Sequence, residues 1–128
     1  MTQEYIEYSS TNCSFDPATG IKTYVSKEKC DFAYQAQQKA FLVGAAPEVF
    51  ERIDDFSFRT AVAETDFFMK NFKAGVLYNP ISPELHNKLE PILKYNPFGI
   101  NCPQYGNVDM ARHNLGIYQG KVVLIDFC

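Results

Sequence analysis

Three oxygen-bearing side chains near the end of the sequence have the types and spacing that phosphoryl transfer requires. Asp109 and Asn114 are separated by four residues, and Asp126 follows after an apolar stretch. Phosphoryl transfer needs a carboxylate beside the attacking hydroxyl, and oxygen ligands that hold Mg²⁺ against the nucleotide phosphates. Two carboxylates and one amide supply groups of these kinds.

A β-hairpin is predicted between Asn114 and Asp126. Two apolar stretches flank the turn Gln119-Gly120, which is a combination typical of hairpins. Because the two ends of a hairpin are adjacent in space, we expect the Asn114 amide and the Asp126 carboxylate to converge on one cation. Asp109 would then lie a few ångströms away on the same loop.

The elements upstream of this hairpin are predicted from periodicity and from turn residues. Asp31 is expected to cap a helix that Gly44 ends, and Pro83 occupies the first position of a later helix. The strands are predicted at 3–8, 21–27, 48–53, 58–64, 115–118 and 121–125, and the helices at 32–43, at 66–72 and from 83 onward. This mixture of strands and helices indicates an α+β fold.

The last twenty residues resemble the protein-kinase-like superfamily, which includes the aminoglycoside-phosphotransferase-like proteins. Asp109 and Asn114 match its catalytic loop, and Asp126-Phe127 after an apolar strand matches its Asp-Phe-Gly motif. The resemblance implies that Asp109 is the catalytic base and that Asn114 and Asp126 are ligands of Mg²⁺ bound with ATP. It further implies one truncated kinase-like domain over 1–128, with a small lobe over about 1–64, a hinge, and a partial second lobe over 65–128.

The resemblance also implies a lysine that binds the nucleotide phosphates. Lys27 is the candidate for this cofactor-binding role, because it shares one face of the predicted strand 21–27 with Val25. Lys22 lies on the other face of that strand and is disfavoured for this reason.

Several features of the family are missing from this chain. The predicted helix offers Gln35, Gln37 and Gln38 where a glutamate would pair with the lysine, unless Glu28 substitutes. A glycine-rich loop is also missing, and Cys128 stands where the glycine of Asp-Phe-Gly belongs. Since positioning supplies nearly all the catalysis in phosphoryl transfer, we expect weak ATP binding and slow or absent transfer.

Two functions follow from this comparison. The chain is similar to short, truncated kinase-like proteins of bacteriophage type, which implies a catalytically degraded regulator or inhibitor that binds a protein of the host cell. The alternative is an ATP- and Mg²⁺-dependent phosphotransferase with Asp109 as its base. A homodimer is a second form of association that the truncated fold would allow.

The composition indicates which class of protein this is and which kinds of partner are excluded. The chain has 128 residues, of which 46% are hydrophobic, and its 12 basic and 15 acidic side chains give a net charge of −3. This is a globular composition without the basic surface that nucleic acid requires. Membrane-length apolar runs and a signal-peptide pattern are both missing, so we expect a cytoplasmic protein that does not enter membranes. The four widely spaced cysteines, Cys13, Cys30, Cys102 and Cys128, are predicted to be unpaired thiols.

Overall fold

A computed structural model describes residues 13–71, 83–93, 114–125 and 127. The strands are β1 (Cys13–Asp16), β2 (Ile21–Tyr24), β3 (Val49–Asp54), β4 (Ser57–Thr60), β5 (Leu115–Tyr118) and β6 (Lys121–Leu124). The helices are α1 (Lys27–Leu42), α2 (Asp66–Asn71) and α3 (Pro83–Leu93). The α+β class is therefore confirmed, whereas the strand predicted at 3–8 lies outside the described residues.

The first four strands form one antiparallel sheet in the order β1-β2-β4-β3. The turn between β1 and β2 depends on Asp16, whose Oδ1 accepts a 3.0 Å hydrogen bond from the N–H of Ala18. Gly20 closes this turn with a φ of +78°. A Cβ at Gly20 would also collide with the carbonyl oxygen of Thr60, so glycine is required there for two reasons.

Helix α1 begins five residues earlier than the sequence predicts. Ser26 is the N-cap, and its hydroxyl accepts a 3.2 Å hydrogen bond from the N–H of Lys29. The prediction that Asp31 caps the helix and that a strand extends to Lys27 is therefore wrong. The predicted end at Gly44 is confirmed, since Gly44 has a φ of +76° and its N–H donates to the Phe41 carbonyl at 2.9 Å.

Aromatic rings and small helical residues build the core between the sheet and α1. Phe58 of β4 is completely buried, and its ring stacks on Tyr24 and meets Tyr34 of α1 edge-on, with ring centroids 5.8 and 5.2 Å away. Aromatic pairs of this kind contribute about 0.5–1.5 kcal/mol each beyond their burial. The face of α1 toward the sheet carries Ala33, Ala36 and Ala40, which let the helix approach closely.

Arg52 joins the N-terminal part of α1 to the turn between β3 and β4. Its Nη2 lies 2.8 Å from Oδ1 of Asp31, and its guanidinium donates to the carbonyl oxygens of Asp54 and Asp55 at 2.8 and 3.0 Å. The same guanidinium lies over the ring of Tyr34. One side chain thus fixes the helix, the turn and an aromatic core residue relative to one another.

Strands β5 and β6 form the predicted hairpin. Its turn residues Gln119 and Gly120 both have positive φ, 54° and 79°, which is the conformation of a type I′ turn. The hairpin pairs with the segment that follows β4 through Glu64, whose N–H and C=O pair with the C=O and N–H of Ile117 at 2.9 and 2.7 Å. A further bond of 2.9 Å runs from the N–H of Leu124 to the carbonyl of Ala45.

The cysteines differ from the prediction of four unpaired thiols. Cys13 of β1 is disulfide-bonded. Cys30 is a free thiol on the buried face of α1, and this burial raises its pKa and makes it a poor nucleophile. Along the described ranges, none of the helices has the length and apolar character needed to cross a membrane.

Candidate functional site

A lysine lies buried where β2, α1 and the end of β6 meet. Lys22 is 7% exposed, and its Nζ donates hydrogen bonds to Oε1 of Gln37 at 2.8 Å and to the carbonyl of Ile125 at 2.6 Å. A buried ammonium is costly unless hydrogen bonds replace its lost hydration. These two acceptors come from parts of the chain that are distant in sequence, so Lys22 ties the first sheet and its helix to the second sheet.

Two aromatic rings flank the same ammonium group. The ring centroid of Phe127 lies 5.6 Å from Nζ of Lys22, and that of Phe15 lies 6.0 Å away. Ring faces carry partial negative charge, so they attract a cation at these distances. Phe127 is itself buried. The ring therefore stabilises the lysine from within the core.

Gln37 is the helical residue that faces this lysine. It is completely buried, and its Nε2 donates a 3.0 Å hydrogen bond to the carbonyl of Pro47. An amide can accept from Lys22 and donate to Pro47 at the same time, whereas a carboxylate can only accept. The neutral residue thus satisfies two buried groups at once.

A narrow apolar cleft opens beside Lys22. The segment 61–65 that connects β4 to α2 forms one wall, and Phe15, Pro47 and Ile125 contribute to the others. Its cavity volume is about 20 Å³. That volume suits about one water molecule, whereas clefts that bury small ligands measure roughly 300–1,000 Å³. A nucleotide base therefore enters only if the cleft opens.

Lys27, the lysine that the sequence favours, lies elsewhere. It is the first residue of α1, and its exposed Nζ pairs with Oδ2 of Asp31 at 2.9 Å. This hydrogen bond is the main cause that raises the pKa of Lys27. The lining of the cleft includes Lys22 and not Lys27.

The ends of the hairpin meet as the sequence predicts. Asn114 is buried immediately before β5, and its carbonyl accepts a 2.8 Å hydrogen bond from the N–H of Ile125. Asp109 and Asp126 lie outside the described residues, so the clustering of the three side chains stays a prediction. Within the described ranges, no three His, Cys, Asp or Glu side chains are grouped to hold a metal ion.

Sequence reasoning missed Lys22 and Gln37 as a pair, although a signal for each was present. Tyr24 lies two positions after Lys22, so a strand that buries this tyrosine also buries the lysine. Gln37 lies four residues after Ala33 and three before Ala40, on the buried face of α1. Gln35, Gln38 and Glu28, the other residues considered for this role, are exposed.

Comparison with known proteins gives no match: no protein-family model fits the chain, and no curated protein or solved structure is significantly similar to it.

Proposed function

We propose that this chain is a kinase-like protein with a degraded nucleotide cleft, which acts by binding another protein. The observation that carries the proposal is the environment of Lys22. In protein kinases a strand lysine binds nucleotide phosphates while pairing with a helix glutamate. Here the helix residue that meets the strand lysine is a neutral amide, Gln37, beside a cleft of about 20 Å³.

The order of the strands and helices along the chain supports a kinase-like ancestry. A lysine-bearing strand precedes the helix that supplies its partner, and two strands, a connecting segment and two helices follow before the hairpin. The hairpin leads to Asp126-Phe127, where the kinase template has Asp-Phe-Gly. In this proposal Lys22 takes the role that the sequence assigned to Lys27, because Lys22 lines the cleft.

The helix residue beside the cleft supports the loss of phosphotransferase activity. Phosphoryl transfer depends on holding the nucleotide phosphates in line, and the lysine–glutamate ion pair is one of the devices that do so. Gln37 cannot form that ion pair, and its amide already serves Lys22 and Pro47. Helix α1 thus offers the lysine an amide where the kinase template has a carboxylate.

The second candidate is the ATP- and Mg²⁺-dependent phosphotransferase. The bond between Asn114 and Ile125 favours it, because this bond brings the two ends of the hairpin together beside the lysine's acceptor. Asn114 and Asp126 offer the oxygen donors that Mg²⁺ takes, and Asp109 would accept the proton of the substrate hydroxyl. Bound Mg²⁺ would neutralise charge on the nucleotide phosphates.

We propose that the chain is a regulator or inhibitor of bacteriophage type and that its partner is a protein of the host cell. Nucleic acid and membranes are not proposed as partners. A cytoplasmic location belongs to the same proposal, but the disulfide at Cys13 opposes it, because disulfides are rare in the cytosol.

Calorimetric titration with ATP and Mg²⁺ tests the degraded cleft. We expect little or no heat of binding for the native chain, and no phosphate transfer to protein or small hydroxyl acceptors. Lys22→Met and Lys27→Met form a matched pair, since the first removes the cleft lysine and the second an exposed lysine five positions later. Binding lost only in Lys22→Met, with turnover lost in Asp126→Ala, would establish the phosphotransferase instead.

A further inference from the structure

An open groove lies at the C-terminal end of α1. Two adjoining hollows of about 410 and 390 Å³ share Gly44 and Lys121, and the hairpin β5–β6 and helix α3 form their walls. Leu42 is 80% exposed and Val43 is 43% exposed at its edge. Two neighbouring large apolar side chains at this exposure are a feature of interaction surfaces.

The groove also carries positive charge. Lys121 is exposed and makes no ion pair with any residue in the described ranges. Lys88 of α3 lies in the same groove and pairs at 3.5 Å with Glu84, whose side chain is 82% exposed. An exposed pair at this distance contributes little and exchanges readily. The groove thus offers an apolar edge next to two ammonium groups and one carboxylate, so its positive charges exceed its negative ones.

The turn between β3 and β4 carries negative charge, opposite to that of the groove. Ile53 and Phe56 are 45% and 47% exposed, and they flank Asp54 and Asp55. Asp54 is engaged within the turn, where its Oδ1 accepts from the N–H of Phe56 and from the hydroxyl of Ser57. The carboxylate of Asp55 makes no ion pair with residues in the described part of the chain. This turn therefore presents two apolar side chains around a carboxylate that attracts Lys27 and Arg52 of its own chain but forms no ion pair with the described residues.

Within one molecule the turn and the groove cannot meet. Arg52 fixes the turn beside Asp31, near the start of α1, whereas the groove lies at its end. The helix has 16 residues, which at about 1.5 Å per residue is a length of about 24 Å. The two complementary surfaces therefore lie at opposite ends of the same helix.

We propose that the groove receives the β3–β4 turn of a second copy of this chain, with Asp55 of one copy near Lys121 of the other. Ile53 and Phe56 would then cover Leu42 and Val43, so apolar contact and charge both favour the arrangement. Because different surfaces meet, the contact is head-to-tail and leads to rings or to open chains of copies. This inference does not depend on the proposed kinase-like function.

Sedimentation velocity over a range of concentrations tests the contact. We expect the native chain to self-associate, and higher salt to weaken association because exposed charges are screened. Lys121→Glu and Asp55→Lys should each lower the association constant by about tenfold or more, since each places like charges together. Circular dichroism checks that both variants are folded.

Mixing the two variants provides the decisive measurement. Every groove in the mixture can then meet a turn of opposite charge, so association should return to the native level. A native chain that stays monomeric up to millimolar concentration overturns the proposal. Variants that associate as strongly as the native chain, or a mixture that stays dissociated, overturn it as well.

Discussion

The side-chain amide of Gln37 donates a hydrogen bond of 3.0 Å to the carbonyl of Pro47, while its oxygen accepts from Lys22. The bond to Lys22 alone could be made by an amide or by a carboxylate. The bond to Pro47 requires a donor, so the two bonds together require a side-chain amide. A glutamate would attract Lys22 more, yet would face the Pro47 carbonyl with a second acceptor. The buried site is therefore adapted to a neutral side chain.

Gln37→Glu should destabilise the protein. The carboxylate cannot donate to Pro47, and leaving a buried carbonyl without its donor costs about 1–3 kcal/mol. Desolvation of the new carboxylate offsets most of its attraction to Lys22. Urea unfolding at neutral pH measures the loss, with Gln38→Glu on the exposed face as the matched control. A more stable Gln37→Glu protein would mean that the ion pair outweighs the Pro47 contact.

Arg52→Ala should destabilise the protein more than Arg59→Ala does. Arg52 is partly buried and bonds to Asp31 and to two carbonyl oxygens of the β3–β4 turn. Removing it should cost about 1 kcal/mol or more. Arg59 pairs with Glu51, but both side chains are largely exposed, and pairs of this kind contribute little. Thermal unfolding of the two variants compares them, and equal shifts in Tm would contradict the central role given to Arg52.

The carboxylate of Asp54 should contribute stability that is lost in acid. Hydrogen bonds from the N–H of Phe56 and then from the Ser57 hydroxyl hold the pKa of Asp54 below its usual value of 3.8. A folded pKa below the unfolded one means that the stabilisation is complete above the unfolded value and disappears as pH falls through the folded one.

Asp54→Asn should consequently be less stable than the native chain at neutral pH, and the difference should shrink below about pH 4. Denaturant unfolding at a series of pH values measures this difference, with Asp55→Asn at the neighbouring position as control. A difference that stays constant from neutral pH into acid would show that the pKa of Asp54 is not lowered by folding.

Gly116→Ala should weaken the junction between the two sheets. A Cβ at this position would lie 2.9 Å from Cβ of Ala63 and 3.2 Å from the Glu64 carbonyl oxygen. Overpacking of this kind costs about 1–3 kcal/mol. Adding Ala63→Gly should restore part of the stability by removing the closest contact, and the double-mutant cycle measures that coupling. Simple additivity would argue against the contact.

Thiol titration of the protein unfolded without reductant tests the disulfide at Cys13. A chain with four cysteines and one intramolecular disulfide leaves at most two reactive thiols. Before unfolding, Cys30 should react slowly, because it is buried and burial raises its pKa. Four reactive thiols in the unfolded chain would restore the prediction made from cysteine spacing.

Local signals predicted much of the fold. Gly44, Pro83 and Gln119-Gly120 mark a helix end, a helix start and a hairpin turn, and each works through a backbone preference that neighbouring residues alone impose. The predicted start of α1 is wrong because the sequence offers two residues that can cap a helix. Ser26 is the N-cap, whereas Asp31 lies within the helix and forms ion pairs with Lys27 and Arg52.

The lysine of the candidate site could not be chosen from the sequence in the same way. Lys22 and Lys27 lie on opposite faces of a continuous strand, but β2 ends at Tyr24 and leaves Lys27 on a helix. Which face of β2 is buried depends on the partner Phe58 and on Ile125, about a hundred residues away. Alternation along β2 groups Lys22 with Tyr24, but these long-range contacts decide that their face is the buried one.

The pairing of Glu64 with Ile117 determines where the cleft can open. Glu64 is bonded to the hairpin, whereas Ala61 is held to the first sheet by its N–H bond to the Glu48 carbonyl at 2.9 Å. Between these two anchors the chain has two residues, Val62 and Ala63. A widening that moves the hairpin away from the first sheet therefore changes the backbone torsions of Val62 and Ala63, and it also loosens the bonds of Leu124 to Ala45 and of Lys22 to Ile125.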